Sequence, residues 1–358
     1  MFKEGNIETP QEIIDPEIED IVSRELKFNQ KLQAESKDKG PEISMKIWYS
    51  PHVLERDYWG IEGELDKADI FAPEEFGYEK ETLDEYKALA NGEMSPDDIE
   101  QNEAKEYGPG YKRDEARRKI FEVIFNSRKQ IIFIDVPNGH PLVKRWMKAL
   151  EERFFIAFRS KDINSFYELL RLVKKNLKEY ADIQKERDEY ILSQLKPRVD
   201  ECIKADPRLR NASKIQILIS LGSLHTPIYH ALKKRNENVQ RIFRSPAIFP
   251  FADEGARRYQ FNKEIDNDLA ARILLEEYLD LASDIDLIEN IKDTKKSIEV
   301  LRKIIGSLDF NEIKSIFQRL HKGKNFHSVL SGALQKKGLK VPNSEKEADE
   351  MLHIRPHV

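Results

Sequence analysis

Two short runs constrain this chain more than anything else in it. Gln130–Val136 (QIIFIDV) and Lys214–Leu221 (KIQILISL) are almost entirely apolar, within 358 residues of which 35% are charged. A strand with one wet face alternates apolar and polar residues. A run that is apolar on both sides fits a strand in a parallel sheet covered by helices on both faces. Three further runs read as strands: Ile43–Ser50, Asp69–Ala72 and Val239–Phe243. Polar stretches with apolar residues at helical spacing separate them, among them Arg113–Arg128 and two long helices over 161–204. Ser95-Pro96-Asp97-Asp98 is a helix start, with a capping serine and a proline at the first helical position. The expected fold is α/β: a mainly parallel or mixed sheet flanked by helices, with helical N- and C-terminal extensions.

The same pattern divides the chain. Residues 1–43 read as a helical N-terminal extension, with Ile18, Ile21, Val22 and Leu26 at helical spacing. Residues 44–260 carry all the strand candidates and form the expected α/β core. Residues 261–358 form a helical C-terminal region, whose tail beyond Lys340 is polar and reads as unstructured.

Composition excludes several functions. The 65 acidic and 60 basic residues give a formal charge of −5, so no global field attracts nucleic acid. The basic run Lys233-Lys234-Arg235 reads as a solvated helix end. One cysteine, Cys202, leaves no disulfide framework. The N-terminus lacks an apolar signal region, and no stretch reaches the length of a membrane span, so a cytoplasmic protein that does not bind membranes is expected.

Parallel sheets place ligand sites beyond the carboxyl ends of their strands. Here those ends carry titratable residues: His52 after the first strand, Glu74 and Glu75 after the second, Asp135 in the third with His140 shortly beyond, and His225 after the fourth. Each has a plainer explanation alone. His52 suits a surface loop, Glu74 and Glu75 a solvated acidic turn, Arg187 a surface ion pair, and His225 a helix start. Their order in the chain is more distinctive. Tyr49-Ser50-Pro51-His52 ends the first strand, and Glu74 follows the second. Arg187-Asp188 reads as a helix start, and Gly222-Ser223-Leu224-His225 follows the later strand.

Over roughly residues 44–245 this order resembles the superfamily that joins erythromycin esterases, ChaN-like heme-binding proteins and the TraB–TIKI proteases. That superfamily carries two Gly-x-x-His motifs, a glutamate after its second strand, and an Arg-Asp or Arg-Asn helix start. The second motif matches here, whereas Tyr49 stands where the first has glycine. The resemblance implies a hydrolase acting on a small-molecule or peptide substrate through His52, Glu74, Arg187 and His225. Water would be activated either by an imidazole oriented by Glu74 or by a divalent metal held by His52, Glu74 and His225. The alternative is a non-catalytic ligand-binding or regulatory protein on the same fold. Arg187 would either hold carboxylates in place or clamp an anionic substrate. In an open cleft, losing it should cost about 1 kcal/mol or less.

Overall fold

The computed structural model describes residues 40–50, 58, 60–108, 115–160, 162–163, 165–243, 250–281, 291 and 294–352. The chain divides into two units, Met1–Glu42 and Ile43–Val358. The expected helix over residues 18–26 lies outside the described residues. The order of elements begins with β1 (Glu42–Tyr49), α1 (Ile61–Leu65), β2 (Ile70–Ala72), α2 (Lys80–Asn91), α3 (Pro96–Tyr107), α4 (Glu115–Ser127) and β3 (Gln130–Ile131). It continues with α5 (Pro141–Phe158), α6 (Phe166–Ala205), α7 (Pro207–Arg210), β4 (Lys214–Leu221), a 3-10 turn (Ser223–His225), α8 (Thr226–Lys234) and β5 (Val239–Phe243). Among the described residues six helices follow: α9 (Phe251–Gln260), α10 (Asn267–Leu281), α11 (Thr294–Ser307), α12 (Phe310–His321), α13 (Phe326–Gln335) and α14 (Glu345–Leu352).

The strands form one parallel sheet in the order β3-β2-β4-β1-β5. β4 lies at its centre and buries both faces, as its composition requires. Alternation divides the residues of β1 between two cores. Met45, Ile47 and Tyr49 pack with Ile191, Leu195 and Val199 of α6 and with Ile228 and Leu232 of α8. Trp48 faces the opposite core, built with Ile61 and Leu65 of α1, Leu89 of α2 and Phe121 of α4. The sheet is therefore covered on both sides, and the expected α/β class holds.

The structure departs from the sequence reading in three elements. Gln130–Val136 is not a central strand: β3 pairs for two residues at the sheet edge. Ile132 still donates to the Phe71 carbonyl, and Val136 and Pro137 run beside Gly77 and Tyr78. Ile132, Phe133, Ile134 and Val136 are buried nonetheless, because packing covers this segment on both sides. Burial on two faces does not require ladder partners on two edges. Second, residues 166–205 form one helix of 40 residues, not two, and Pro197 lies inside it. Pro197 and Ser193 are on the exposed side, so the Ser193 carbonyl that loses its helical donor can meet water. Third, the polar tail past Lys340 contains α14, with Val341 and Ala348 buried.

At 1.5 Å per residue, α6 is about 60 Å long and serves two bodies of packing. Its first half (Phe166, Leu169, Leu170, Val173, Leu177) belongs to the helical core with α9 to α13. Its second half lies on the sheet. Arg187 and Asp188 sit where one role gives way to the other. Replacing Pro197 with alanine restores a backbone donor and a better helix former. It should raise stability by about 1–2 kcal/mol, less than the full helix-interior penalty because proline also restricts the unfolded chain. Urea unfolding monitored by far-UV circular dichroism measures it; a midpoint that falls would mean that the proline bend is needed for the seat of α6 on the sheet.

Candidate functional site

Four elements bring polar residues together at the carboxyl end of the sheet. Glu74 follows β2 by two residues, Asp135 lies beyond β3, Arg187 and Asp188 project from the middle of α6, and His225 closes the turn after β4. Arg187 is thus a helix-interior residue and not the helix opener that the sequence reading expects. A mid-helix position fixes its direction more firmly than a fraying end would.

Arg187 holds two carboxylates at once. Its Nε donates to Asp135 Oδ1 at 2.9 Å and its Nη2 to Asp135 Oδ2 at 2.5 Å. The same Nη2 donates to Glu74 Oε1 at 2.7 Å. The guanidinium carbon lies 4.5 Å from the centroid of the Phe76 ring, in cation–π contact. Burial alone lowers the pKa of a guanidinium, but the charges of Glu74 and Asp135 outweigh it, so Arg187 remains charged. With its Nε and Nη2 donors on carboxylates and an aromatic ring over its plane, it holds Glu74 and Asp135 in place.

His225 is enclosed in the same way. Its Nδ1 is hydrogen-bonded to Asp188 Oδ1, and its Nε2 lies 3.3 Å from Glu74 Oε1. A neutral imidazole has one N–H and one lone pair, so one of these carboxylates would face a lone pair. The imidazolium satisfies both. Burial and Arg187 push the His225 pKa down, but the Asp188 and Glu74 carboxylates prevail and hold it at about 9. At neutral pH His225 is therefore an acid aimed at Glu74, not a free base.

Local backbone positions these groups. Gly222 donates its N–H to Glu74 Oε2. Its φ of −63° is open to any residue, so its smallness, rather than a left-handed turn, is what matters. A Cβ there would stand 3.3 Å from Glu74 Oε2. Tyr49 donates its hydroxyl to the His225 carbonyl at 3.1 Å and stacks on Phe243 at 4.9 Å. Burial, helped by the Asp188 charge, raises its phenol pKa, so it stays a donor. Tyr49 occupies the place where the resembled motif has glycine, and there it ties the end of β1 to the histidine turn.

Not every expected residue joins the cluster. Glu75 points the other way: the Tyr86 hydroxyl donates to it and Arg117 Nη2 lies 3.7 Å from it, while burial pushes its carboxyl up. His140 caps α5, with Nδ1 accepting from the Leu142 N–H at 3.3 Å, and packs edge-on against Tyr190. Neither side chain is hydrogen-bonded to Arg187, Asp188 or His225 among the contacts described. Asp135, a secondary candidate in the sequence, is the main partner of Arg187. Asp188 has no role legible in the sequence beyond its place after Arg187, yet it orients the histidine. His52 lies outside the described residues.

The implied divalent ion can be tested against the donors present. Among the described residues no group of three or more His, Cys, Asp or Glu is arranged around one point for an ion. Glu74 and His225 are two of the three expected ligands, but the Arg187 guanidinium already stands 2.7 Å from the Glu74 oxygen that faces the imidazole. The described residues do not fit the ion.

No protein-family model, curated protein or solved structure matches the chain. Among the described residues, no helix is long and apolar enough to cross a membrane.

Two predictions follow from the burial. Arg187 is 5% exposed and Asp135 1%, so Arg187→Ala strands a buried carboxylate and should cost about 3–5 kcal/mol. That replaces the small cost expected for an open cleft, and chemical unfolding of the variant measures it. His225 is fully buried, and its folded pKa is raised from 6.5 to about 9. Its protonation therefore stabilises the fold fully below pH 6.5, and the contribution is lost as pH rises through 9. The loss is about 3 kcal/mol across that window. Unfolding free energies measured from pH 6 to 10 should show this slope in the native chain and lack it in His225→Phe.

Proposed function

We propose that the protein is a hydrolase of the erythromycin-esterase and TraB–TIKI type, in which Glu74 moves the proton of a water attack and His225 stands charged behind it. The observation that carries this reading is the line Asp188–His225–Glu74 at the carboxyl ends of β2 and β4. Glu74 is its most exposed member: its side chain is 19% exposed, against 2% for His225 and 5% for Asp188. A water on the open side of Glu74 meets a carboxylate whose geometry is set by the Arg187 and Gly222 donors. As the water oxygen attacks a carbonyl carbon, its proton passes to Glu74. Glu74, the exposed member of the line, then passes that proton on to the leaving group, while the imidazolium of His225, its Nε2 facing Glu74, offsets the carboxylate charge and Asp188 holds the ring in place. Arg187 keeps Glu74 and Asp135 fixed throughout. The substrate is a small molecule or a peptide, and no step needs an ion.

A second reading has its own observation. Arg187, Asp135, Asp188 and His225 are all nearly inaccessible, and a cluster this closed also suits a non-catalytic ligand-binding or regulatory protein. Hydrolysis separates the two. Purified full-length chain is offered a panel of carboxylic esters, lactones and peptides, alongside Glu74→Gln and His225→Gln. Circular dichroism and thermal unfolding confirm that each variant is folded. Glu74→Gln should lower kcat/KM by about 100-fold or more. Activity should also fall as pH rises through about 9, where His225 loses its proton. A folded wild type inert toward the whole panel, or turnover unchanged in Glu74→Gln, overturns the hydrolase reading.

A further inference from the structure

The turn that joins β4 to α8 has backbone donors that the fold leaves unused. Gly222 gives its N–H to Glu74 Oε2. His225 donates its own to the Gly222 carbonyl at 3.1 Å. The two N–H groups between them, on Ser223 and Leu224, meet no acceptor among the described residues, and no side chain caps the turn. Both residues are only half-buried. Thr226, next in the chain after His225, is 2% exposed, and its hydroxyl also lacks a partner. Native folds rarely leave several donors of one short segment unmet; a bound group usually answers them.

We infer that the Ser223 and Leu224 amides hold the oxygen of the carbonyl that the water attacks, an oxyanion seat beside Glu74. The inference rests on the hydrolase reading and supplies what that reaction still needs, a stabiliser for the developing negative charge. A Cβ built on Gly222 would stand 3.3 Å from Glu74 Oε2 and 3.8 Å from Oε1. The Ser223 nitrogen is two bonds beyond the Gly222 Cα, so it lies within about 6 Å of that carboxylate. A span of that size takes a water on Glu74 and a carbonyl hydrogen-bonded to the amide. The open side of Glu74 and the unused donors therefore belong to one place.

Protons and electrons balance around that seat. The water oxygen bonds to the carbonyl carbon, the C=O π pair moves onto the carbonyl oxygen, and the water's proton goes to Glu74. The two N–H groups donate to the oxyanion as its charge appears. The pair then returns, the bond to the leaving group breaks, and Glu74 gives that group its proton. While Glu74 is a carboxylate it repels an anion from the seat; once it has taken the proton it does not. The seat thus favours the transition state of a neutral ester or amide over a substrate that arrives charged at its reacting carbon.

A tetrahedral anion reads the seat without turnover. Methylphosphonate is titrated into the full-length Glu74→Gln chain, whose amide stands in for the protonated carboxyl, and the Ser223 and Leu224 amide protons are followed by NMR. Both should shift and saturate together, and the wild type should bind at least about 10-fold more weakly. Ser223→Pro then removes one donor at little structural cost. The Gly222 φ of −63° and ψ of 156° suit the residue before a proline, and the first position of a helical turn tolerates one. Added to Glu74→Gln, it should weaken the probe at least about 10-fold, whereas Ser223→Ala, which keeps the N–H, should not. With Glu74 intact, Ser223→Pro should lower kcat on a hydrolysed ester by about 100-fold or more with KM little changed. If Ser223→Pro fails to fold, the amide shifts alone decide. Amides that stay still under the probe overturn the seat, and so does a Ser223→Pro chain that binds and turns over as its parent does; neither result touches the hydrolase reading. Amides that respond in a chain inert toward every ester support the anion seat and overturn the hydrolase reading.

Discussion

The guanidinium of Arg187 is the constraint on which the rest depends. Asp135 is 1% exposed and lies in a segment that has left the sheet ladder, where its carboxylate is held by the Val136 N–H and by a buried cation. Arg187 supplies that cation bidentately and extends to Glu74, which binds the ends of the β2 and β3 segments to the middle of α6. Charge pairing of this kind contributes little net stability compared with an apolar replacement. Its effect is directional: each partner has one acceptable place, and the ends of the strands are held in register with the helix that crosses them.

From that clamp the histidine is set by a second group of contacts. Gly222 and His225 both meet Glu74, Asp188 follows Arg187 on the same helix, and Tyr49 secures the His225 backbone from β1. Three strand ends and one helix thus fix a single imidazole. Two carboxylates on opposite sides of the ring turn a group that would titrate near neutrality into one that holds its proton to about pH 9. The acid character of the site comes from this enclosure and not from the histidine itself.

The helical C-terminal region is built on the other half of the same helix. Gly255 lets α9 approach closely: a Cβ there would come within 2.5 Å of Leu177 on α6 and 2.8 Å of Ile273 on α10. Glu276 of α10, fully buried and pushed up to about 8 by that burial, accepts the Phe251 and Ala252 N–H groups that open α9. Arg153 of α5 pairs with Glu277 next to it. The first half of α6 and the helices after β5 share one apolar core, so site and helical region meet along one helix without sharing a boundary loop.

Periodicity by itself determined the strands β4 and β5, the alternation of strands with helices and the helical character of the C-terminal region, because each depends on local burial pattern. The proximity of Glu74 and His225 was legible as an order of motifs after strand ends, since a parallel sheet gathers those ends on one side, whereas Arg187, in the middle of α6, was linked to them only by the resemblance. Tertiary structure alone decided the rest. It turned Glu74 inward and Glu75 away, though the two are chemically identical neighbours, because only the first meets Arg187 and the Gly222 N–H. It moved the apolar run at 130–136 to the edge, since covering helices and a ladder position bury a side chain equally well. It also gave Asp188 a role and Arg187 a holding function, because hydrogen-bond saturation depends on partners 37 to 113 residues away, which no local pattern records.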